Sequence, residues 1–162
     1  MIECPESKGE FYMTSADSLI ELLPHRVPMR LVEVIVEIRP GEFARGRRFA
    51  RPDDWYFQGH FPGDPVVPAI ILVELLAQTG GIAACTGEDP KSRALRVASF
   101  AAFKFPRPAR PNAVLEAVAR IAGRMGGMIK IEGEVTADGV CVATGGIILA
   151  EAGESAENRR RG

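Results

Sequence analysis

The side chains of this sequence best suited to acid–base chemistry are one histidine and one glutamate. His60 lies in residues 58–68, a segment rich in proline and glycine that is too broken to form a regular helix or strand. Glu74 is the only charged residue in the apolar run 69–85. A neutral imidazole accepts a proton near pH 7, and burial among apolar side chains favours a protonated carboxyl group. The pair predicts removal of a weakly acidic proton coupled to protonation of a leaving group.

Neighbouring residues are predicted to supply hydrogen bonds to this pair and to a substrate. Gln78 lies one helical turn after Glu74, on the same face, and is placed to bind its carboxyl group. The first N–H groups of a helix have no partner within the helix. The N–H of Ala69 is therefore predicted to stabilise negative charge on a substrate oxygen, and the N–H of Gly63 is a second candidate.

No metal or nucleotide cofactor is expected. The chain has two histidines and three cysteines, Cys4, Cys85 and Cys141, in no recognisable metal-ligand spacing. It contains neither GxxxxGK nor GxGxxG, the phosphate-binding patterns. The widely spaced cysteines also argue against a disulfide framework and favour a reducing compartment.

Size and composition predict a single globular domain. The 162 residues are 46% hydrophobic and 25% charged, with a formal net charge of −1. This balance gives no electrostatic reason to expect a nucleic-acid partner. The most apolar window, residues 66–85, contains Glu74, Gln78 and Pro68 and is predicted to be a buried element, not a membrane span. Because residues 1–12 lack the apolar core of a signal peptide, the expected location is the cytoplasm.

Hydrophobic patterning and turn residues predict the elements that position these side chains. A short helix is predicted over 17–23, strands over 31–38 and 42–49, and a long apolar helix over 69–85. Four further strands are predicted over 94–105, 113–123, 128–137 and 140–150. An α+β fold, with a curved antiparallel sheet wrapped around the long helix, satisfies this order. A single domain over 17–150 would be flanked by a loose leader, 1–16, and a flexible polar tail, 151–162.

Several segments, in order along residues 19–150, resemble one enzyme family. They are Leu22-Leu23-Pro24-His25-Arg26, Gln58-Gly59-His60-Phe61-Pro62-Gly63-Asp64-Pro65, Glu74-Leu75-Leu76-Ala77-Gln78 and Phe103-Lys104-Phe105-Pro106-Arg107-Pro108. This set resembles the β-hydroxyacyl–acyl carrier protein dehydratases of the FabZ type, whose fold is the hot-dog fold. Glu74 is similar to the FabZ type in particular, since the related FabA-type dehydratase/isomerases carry Asp at this place.

The resemblance implies that His60 and Glu74 are the catalytic pair and that no cofactor takes part. The implied substrate is a β-hydroxyacyl thioester on an acyl carrier protein, and the implied product is the trans-2-enoyl thioester. The resemblance further implies a homodimer whose active sites each combine His60 of one subunit with Glu74 of the other, and which can assemble into a trimer of dimers. Neither nucleic acid nor a membrane is an expected partner.

The resemblance also suggests where the substrate and the carrier protein bind. The acyl chain would pass near Val27, Met29, Phe61 and Pro68. Because Val27, Met29 and Ala69 depart from the family pattern, they are expected to set the acyl-chain preference. An acidic carrier protein would dock on a basic surface, for which the candidates are Arg96, Lys104, Arg107 and Arg110. A solvated charged edge is an equally good interpretation of these four residues. His25 is predicted to be a structural hydrogen-bonding residue.

Three other functions are compatible with the sequence. A FabA-like dehydratase/isomerase would favour Asp at position 74. An acyl thioesterase would use a carboxylate to activate water and would not require His60. A non-catalytic acyl-binding hot-dog module would need neither His60 nor Glu74.

Overall fold

The computed structural model describes residues 16–87 and 95–151. Within them it has helices α1 (Ala16–Ile20) and α2 (Ala69–Cys85) and a 3-10 turn at Trp55–Phe57. The strands are β1 (Val34–Arg39), β2 (Phe43–Phe49), β3 (Leu95–Lys104), β4 (Val114–Met125), β5 (Met128–Ala137) and β6 (Val140–Glu151). The predicted leader before Ala16 and the predicted tail after Glu151 lie outside the described residues.

The strands form one antiparallel sheet in the order β1-β2-β4-β5-β6-β3. Helix α2 packs against this sheet, and every residue from 71 to 84 except Glu74 is buried. A helix that is apolar on nearly all sides must be covered on nearly all sides. The curved sheet provides that cover, which confirms the predicted α+β hot-dog fold.

Two glycines allow α2 and the sheet to approach closely. A Cβ at Gly80 would lie 2.4 Å from Cδ1 of Ile131. A Cβ at Gly133, on β5, would lie 2.1 Å from the carbonyl oxygen of Val118 and 2.8 Å from Cδ1 of Leu76. At Gly133 the nearest atom is backbone, so this position requires glycine, whereas at Gly80 a Cβ would displace the Ile131 side chain. Both glycines let α2 lie close to β5.

The hairpin between β5 and β6 is formed as its sequence predicts. Asp138 and Gly139 have φ angles of 48° and 82°. A two-residue type I′ turn needs positive φ at both central positions, which an Asp-Gly pair adopts readily. The register then runs from Ala137 opposite Val140 to Met128 opposite Ala150.

The first strand begins later than the sequence predicts, at Val34 and not at Leu31. The backbone N–H groups of Leu31 and Val32 donate to Oε1 of Gln78, at 2.8 and 3.4 Å. Both side chains are nevertheless fully buried. Their apolar character therefore reflects core packing in a loop that is held by a helix side chain.

Strand β3 forms one edge of the sheet. Among the described strands it pairs with β6 alone. Residues 96–102 are all exposed, and they include the apolar side chains of Val97 and Phe100. An edge that presents unpaired backbone groups beside apolar side chains is a surface for pairing with another strand.

Candidate active site

His60 lies in a loop, and one of its two ring nitrogens is hydrogen-bonded to the backbone. Its Nδ1 lies 3.0 Å from the carbonyl oxygen of Val66. Because a carbonyl only accepts hydrogen bonds, Nδ1 carries the proton in the neutral ring and Nε2 keeps its lone pair. The ring of Phe61 stacks on the imidazole, with centroids 4.0 Å apart. His60 is thereby oriented as a base through Nε2.

The loop that carries His60 is tied to the rest of the domain. Val67 N–H donates to the carbonyl oxygen of Ala109 at 2.8 Å, and Asp64 forms an ion pair with Arg110. Within the loop, Val66 N–H donates back to the carbonyl oxygen of His60 at 3.1 Å. A Pro- and Gly-rich segment with these ties keeps an irregular but fixed backbone.

A buried polar cluster supports the segment that precedes this loop. Arg48 pairs with Asp54 at 2.5 Å, and the hydroxyl of Tyr56 donates to Oδ2 of Asp54 at 2.6 Å. Burial is the main cause that raises the pKa of Tyr56 to about 12, so the hydroxyl remains a donor. The cluster fixes the 3-10 turn, in which the carbonyl oxygen of Phe57 accepts the N–H of His60 at 3.1 Å.

Glu74 is held by Gln78, as the one-turn spacing predicts. Nε2 of Gln78 donates to Oε1 of Glu74 at 2.9 Å and to the carbonyl oxygen of Met29 at 2.7 Å. Oε1 of Gln78 accepts a hydrogen bond from the N–H of Leu31. Gln78 is only 2% exposed, and its side-chain amide thus links the helix, the carboxyl group of Glu74 and residues 29–32. Every polar atom of Gln78 is thus used, which locks its rotamer and that of its neighbour.

His25 is a site residue that sequence reasoning missed. Its Nε2 lies 3.2 Å from Oε1 of Glu74, whereas the sequence predicted only a structural hydrogen-bonding residue. The two residues are distant in the sequence and meet only because residues 24–31 fold back along α2. A histidine between two prolines gives no pattern that predicts such a contact.

Glu74 faces an apolar cavity of about 310 Å³. Along α2 the cavity follows one helical face, formed by Glu74, Ala77, Gln78, Gly81 and Cys85. At 1.5 Å per residue, this face is about 16 Å long. The remaining lining residues are Leu22, Leu23, Pro24, His25, Leu95, Arg96, Val97 and Leu149.

The two ends of the cavity differ in character. His25, Glu74 and Gln78 provide hydrogen-bonding groups at one end. The other end lies beside Gly81. A Cβ at Gly81 would lie 4.0 Å from Leu149, and Leu149 pairs with Val97 on β3. Burial raises the pKa of the Cys85 thiol, so this end is lined by a neutral thiol.

His60 is not among the residues that line this cavity. Within one chain, the structure therefore brings Glu74 together with Gln78 and His25 but does not bring His60 into the same cavity. The wall formed by Leu95, Arg96 and Val97 belongs to the edge strand β3, where a second chain could be added to the sheet.

One predicted backbone donor, Ala69, lies at the start of α2, and the other, Gly63, lies in the His60 loop. Ala69 is the first residue of the helix and Pro68 is its N-cap. Neither the N–H of Ala69 nor that of Gly63 has a hydrogen-bond partner among the described residues. Gly63 has φ of +77°, which turns the chain sharply after Phe61. Both groups stay predictions as donors to a substrate oxygen.

The predicted channel residues fall into two groups. Phe61, 54% exposed, and Pro68 lie with the His60 loop and the start of α2. Val27, 77% exposed, lines a second and more polar cavity of about 590 Å³ and not the apolar one. Met29 contributes its carbonyl oxygen to Gln78. A role for these side chains in chain preference stays a prediction.

Comparison with known proteins identifies the family of this chain. A family model described as a FabA-like domain matches residues 23–146. A FabZ dehydratase for 3-hydroxyacyl-(acyl-carrier-protein) from Roseiflexus castenholzii is 32% identical over 138 residues, which cover 85% of this chain and 96% of the relative. The enzyme of the same name from Ruminiclostridium cellulolyticum is 36% identical over 138 residues, covering 85% and 97%. The chain belongs to the FabA-like family and is a dehydratase of the FabZ type.

Solved structures show that the fold of this FabZ-type dehydratase is shared widely. A chain of the dehydratase heterocomplex ApeI:P from Xenorhabdus doucetiae superposes with a TM-score of 0.72 at 17% identity, covering 88% of this chain and 95% of that one. The PaaI protein of the E. coli phenylacetic acid degradation operon gives a TM-score of 0.57 at 16% identity, covering 72% and 81%. At these identities the likeness concerns the fold alone.

The four basic residues predicted to form a docking surface on the FabZ-type chain are not equivalent. Arg96 lines the apolar cavity, and Arg110 is paired with Asp64 of the His60 loop. Lys104 and Arg107 are exposed and make no ion pair with any described residue. The docking prediction therefore narrows to these two side chains and stays a prediction.

Residues 16–87 and 95–151 contain neither a metal-binding cluster nor a helix that could span a membrane. No group of three or more His, Cys, Asp or Glu side chains is arranged to hold a metal ion. No helix in these ranges is long and apolar enough to cross a membrane.

Proposed function

We propose that this dehydratase removes water from a β-hydroxyacyl thioester carried by an acyl carrier protein, in fatty-acid or related acyl-chain biosynthesis. The relatives named above act, by name, on 3-hydroxyacyl-(acyl-carrier-protein). The observation that carries the proposal is Glu74, a carboxyl group 22% exposed and oriented by Gln78 at one end of an apolar cavity. An acid beside an apolar groove suits a substrate with a polar reacting end and a hydrocarbon chain.

The proposed reaction uses one base and one acid. Nε2 of His60 takes a proton from the α-carbon next to the thioester carbonyl, and Glu74 gives a proton to the β-hydroxyl group. The carbon–oxygen bond at the β-carbon breaks, water leaves, and the α–β double bond forms. Negative charge that grows on the thioester oxygen is stabilised by the N–H groups of Ala69 and Gly63.

The proposed site combines residues of two chains in a homodimer. Within one chain His60 is outside the cavity of Glu74, and the cavity wall is the edge strand β3. Pairing of β3 with its copy across a two-fold axis would remove the exposed edge and bring a second chain to the cavity. His60 of that second chain is then the base for Glu74 of the first. The trimer of dimers implied by the sequence resemblance stays a prediction.

The carrier protein is proposed to dock beside Lys104 and Arg107. Both cations are exposed near the sheet edge, and neither is neutralised by a described carboxylate. An acidic partner would be attracted to such groups, with an effect mainly on the rate of association.

The experiment that tests this function is a panel of β-hydroxyacyl thioesters on carrier protein and on coenzyme A, with absorbance of the enoyl thioester as the readout. We expect trans-2-enoyl product without added cofactor, and faster turnover on carrier protein than on coenzyme A. Thiol release would instead indicate a thioesterase, and a cis-3-enoyl product would indicate an isomerase. Absence of any turnover across the panel would contradict the proposal.

A further inference from the structure

The carboxyl group of Glu74 is held from two directions. Gln78 approaches Oε1 from the next turn of the same helix, at 2.9 Å. His25 approaches the same oxygen from the loop before β1, at 3.2 Å. Within the described residues Oε2 of Glu74 accepts no hydrogen bond, so both contacts are made by one oxygen.

We propose that His25 is a positioning residue that directs the proton of Glu74 to Oε2. A neutral carboxyl group carries its proton on one of its two oxygens. With Oε1 accepting a hydrogen bond from Gln78 and lying 3.2 Å from Nε2 of His25, Oε2 is the oxygen left to carry the proton toward the substrate. This inference rests on the proposed function, because it assigns His25 a part in the protonation of the leaving hydroxyl group.

The surroundings of His25 favour a donor role over simple packing. Its Nδ1 is buried and has no hydrogen-bond partner among the described residues. The ring is therefore oriented by Nε2 and its contact with Glu74. A half-buried histidine whose role was only to brace the loop would be expected to bond through its buried nitrogen.

The backbone that carries His25 is fixed independently of its ring. Arg26 donates from Nη1 to the carbonyl oxygens of Leu23 and His25, at 3.0 and 2.8 Å. Gln78 holds Met29 and Leu31 a few residues further on. The amide that orients Glu74 from one side thus also secures the loop that orients it from the other.

Two substitutions at position 25 separate a hydrogen-bond donor from a space-filling side chain. In His25→Gln the amide nitrogen lies near the former place of Nε2, and in His25→Leu no donor is left. With the full-length protein, we expect His25→Leu to lower kcat by about 10–100-fold with KM little changed, as for a misdirected catalytic group. We expect His25→Gln to recover kcat to within about threefold of the unchanged protein.

Arg26→Gln provides the matched control, since it loosens the same loop without contacting Glu74. We expect its kcat to stay within about threefold of the unchanged protein. Wild-type kcat in His25→Leu, or equal losses in His25→Gln and His25→Leu, would overturn the inference. A loss in Arg26→Gln as large as in His25→Leu would also overturn it, because loop geometry would then account for the effect.

A spectroscopic measurement tests the contact without any substrate. The chain has only two histidines, so two imidazoles appear in a nitrogen-15 NMR spectrum. We expect the neutral His25 ring to carry its proton on Nε2 and the His60 ring on Nδ1. In Glu74→Ala the His25 signals should move.

A neutral His25 with its proton on Nδ1, or one whose signals ignore Glu74→Ala, would overturn the inference. Failure of the unchanged protein to dehydrate any thioester would overturn the proposed function and, with it, the role of His25 in dehydration. The NMR result would still decide whether His25 donates to Glu74, so the two failures are distinguishable.

Discussion

The two histidines of this chain contact protein partners through different ring nitrogens. His60 is bound through Nδ1 to the carbonyl oxygen of Val66, whereas His25 contacts Glu74 through Nε2. One ring is therefore prepared to accept a proton from a ligand and the other to donate a hydrogen bond within the protein. The residue type alone does not distinguish these roles; the partner of each ring does.

Substitution of the proposed acid and base should abolish most activity. We expect His60→Ala and Glu74→Gln each to lower kcat by about 10²–10⁴-fold, the usual effect of losing a positioned acid or base. Steady-state kinetics on the best thioester of the panel would measure it, with circular dichroism to confirm folding. Near wild-type turnover in either folded variant would remove that residue from the mechanism.

Gln78 should contribute to stability as well as to orientation. Gln78→Leu leaves the buried N–H of Leu31 and the part-buried carbonyl oxygen of Met29 without this partner. A lost partner for a buried polar group costs about 1–3 kcal/mol of unfolding free energy. Urea denaturation would measure the loss, with Gln58→Leu at the chain's other, exposed glutamine as the control. Equal stability of the two variants would contradict this role.

Of the two residues that contact the carboxyl group of Glu74, the sequence predicted Gln78, which is near in the chain, and did not predict the contact of the distant His25. The Gln78–Glu74 hydrogen bond follows from the helical period, so spacing alone predicted it. The contact of His25 with Glu74 depends on how a loop folds back along α2, which no local pattern encodes. Spacing likewise gives no indication that Arg110 is paired with Asp64.

Among the elements, α2 does most to define the site. It was predicted over 69–85 and is found over Ala69–Cys85, because its apolar run is long, uninterrupted and bounded by Pro68 at its start. The strands after it also match their predicted ranges to within two residues. The predicted start of β1 was wrong because the N–H groups of Leu31 and Val32 donate to Gln78. This long-range contact overrides local strand propensity.

Position 81 on α2 should control the length of acyl chain that the cavity accepts. A Cβ at Gly81 would lie 3.9 Å from Leu23 and 4.0 Å from Leu149, which is ordinary van der Waals contact, so a side chain can begin here without backbone movement. We expect Gly81→Leu to lower kcat/KM for long chains relative to short ones by about tenfold or more, since small changes of volume in an apolar pocket are worth roughly 1–3 kcal/mol.

The measurement for Gly81→Leu is kcat/KM across a series of chain lengths. Gly123→Ala is the control, because a Cβ at Gly123 meets nothing within 4 Å and lies away from the cavity. An unchanged ratio between long and short chains in Gly81→Leu would show that the acyl chain does not occupy this cavity.

At the scale of the whole molecule, the exposed edge of β3 and the cavity beside it belong to the same surface. The strand contributes Leu95, Arg96 and Val97 to the cavity wall, and its outer edge is unpaired among the described strands. A chain added at this edge would therefore also close the cavity. The sequence predicted the edge through its strand count, whereas closure of the cavity by a second chain is part of the proposed homodimer.

Mixing of two inactive variants should restore activity if sites are shared between subunits. Combining His60→Ala with Glu74→Gln and allowing exchange gives mixed dimers with one intact site and one site lacking both residues. About half of randomly paired dimers are mixed, so roughly a quarter of the wild-type sites should return. The assay is dehydration, with exchange confirmed separately by differently tagged chains. Background activity after confirmed exchange would show that each site uses a single chain.

The placement of Gly81 has a consequence for how such proteins diversify. The residue lies on the cavity face of α2, a full two turns beyond Glu74, and touches neither the carboxyl group nor the amide that holds it. Alanine and valine are each one nucleotide change away from glycine, and each would remove part of the cavity without altering the acid–base residues. A duplicated gene could thus acquire a new range of acyl chains in single mutational steps, each of which leaves a working enzyme.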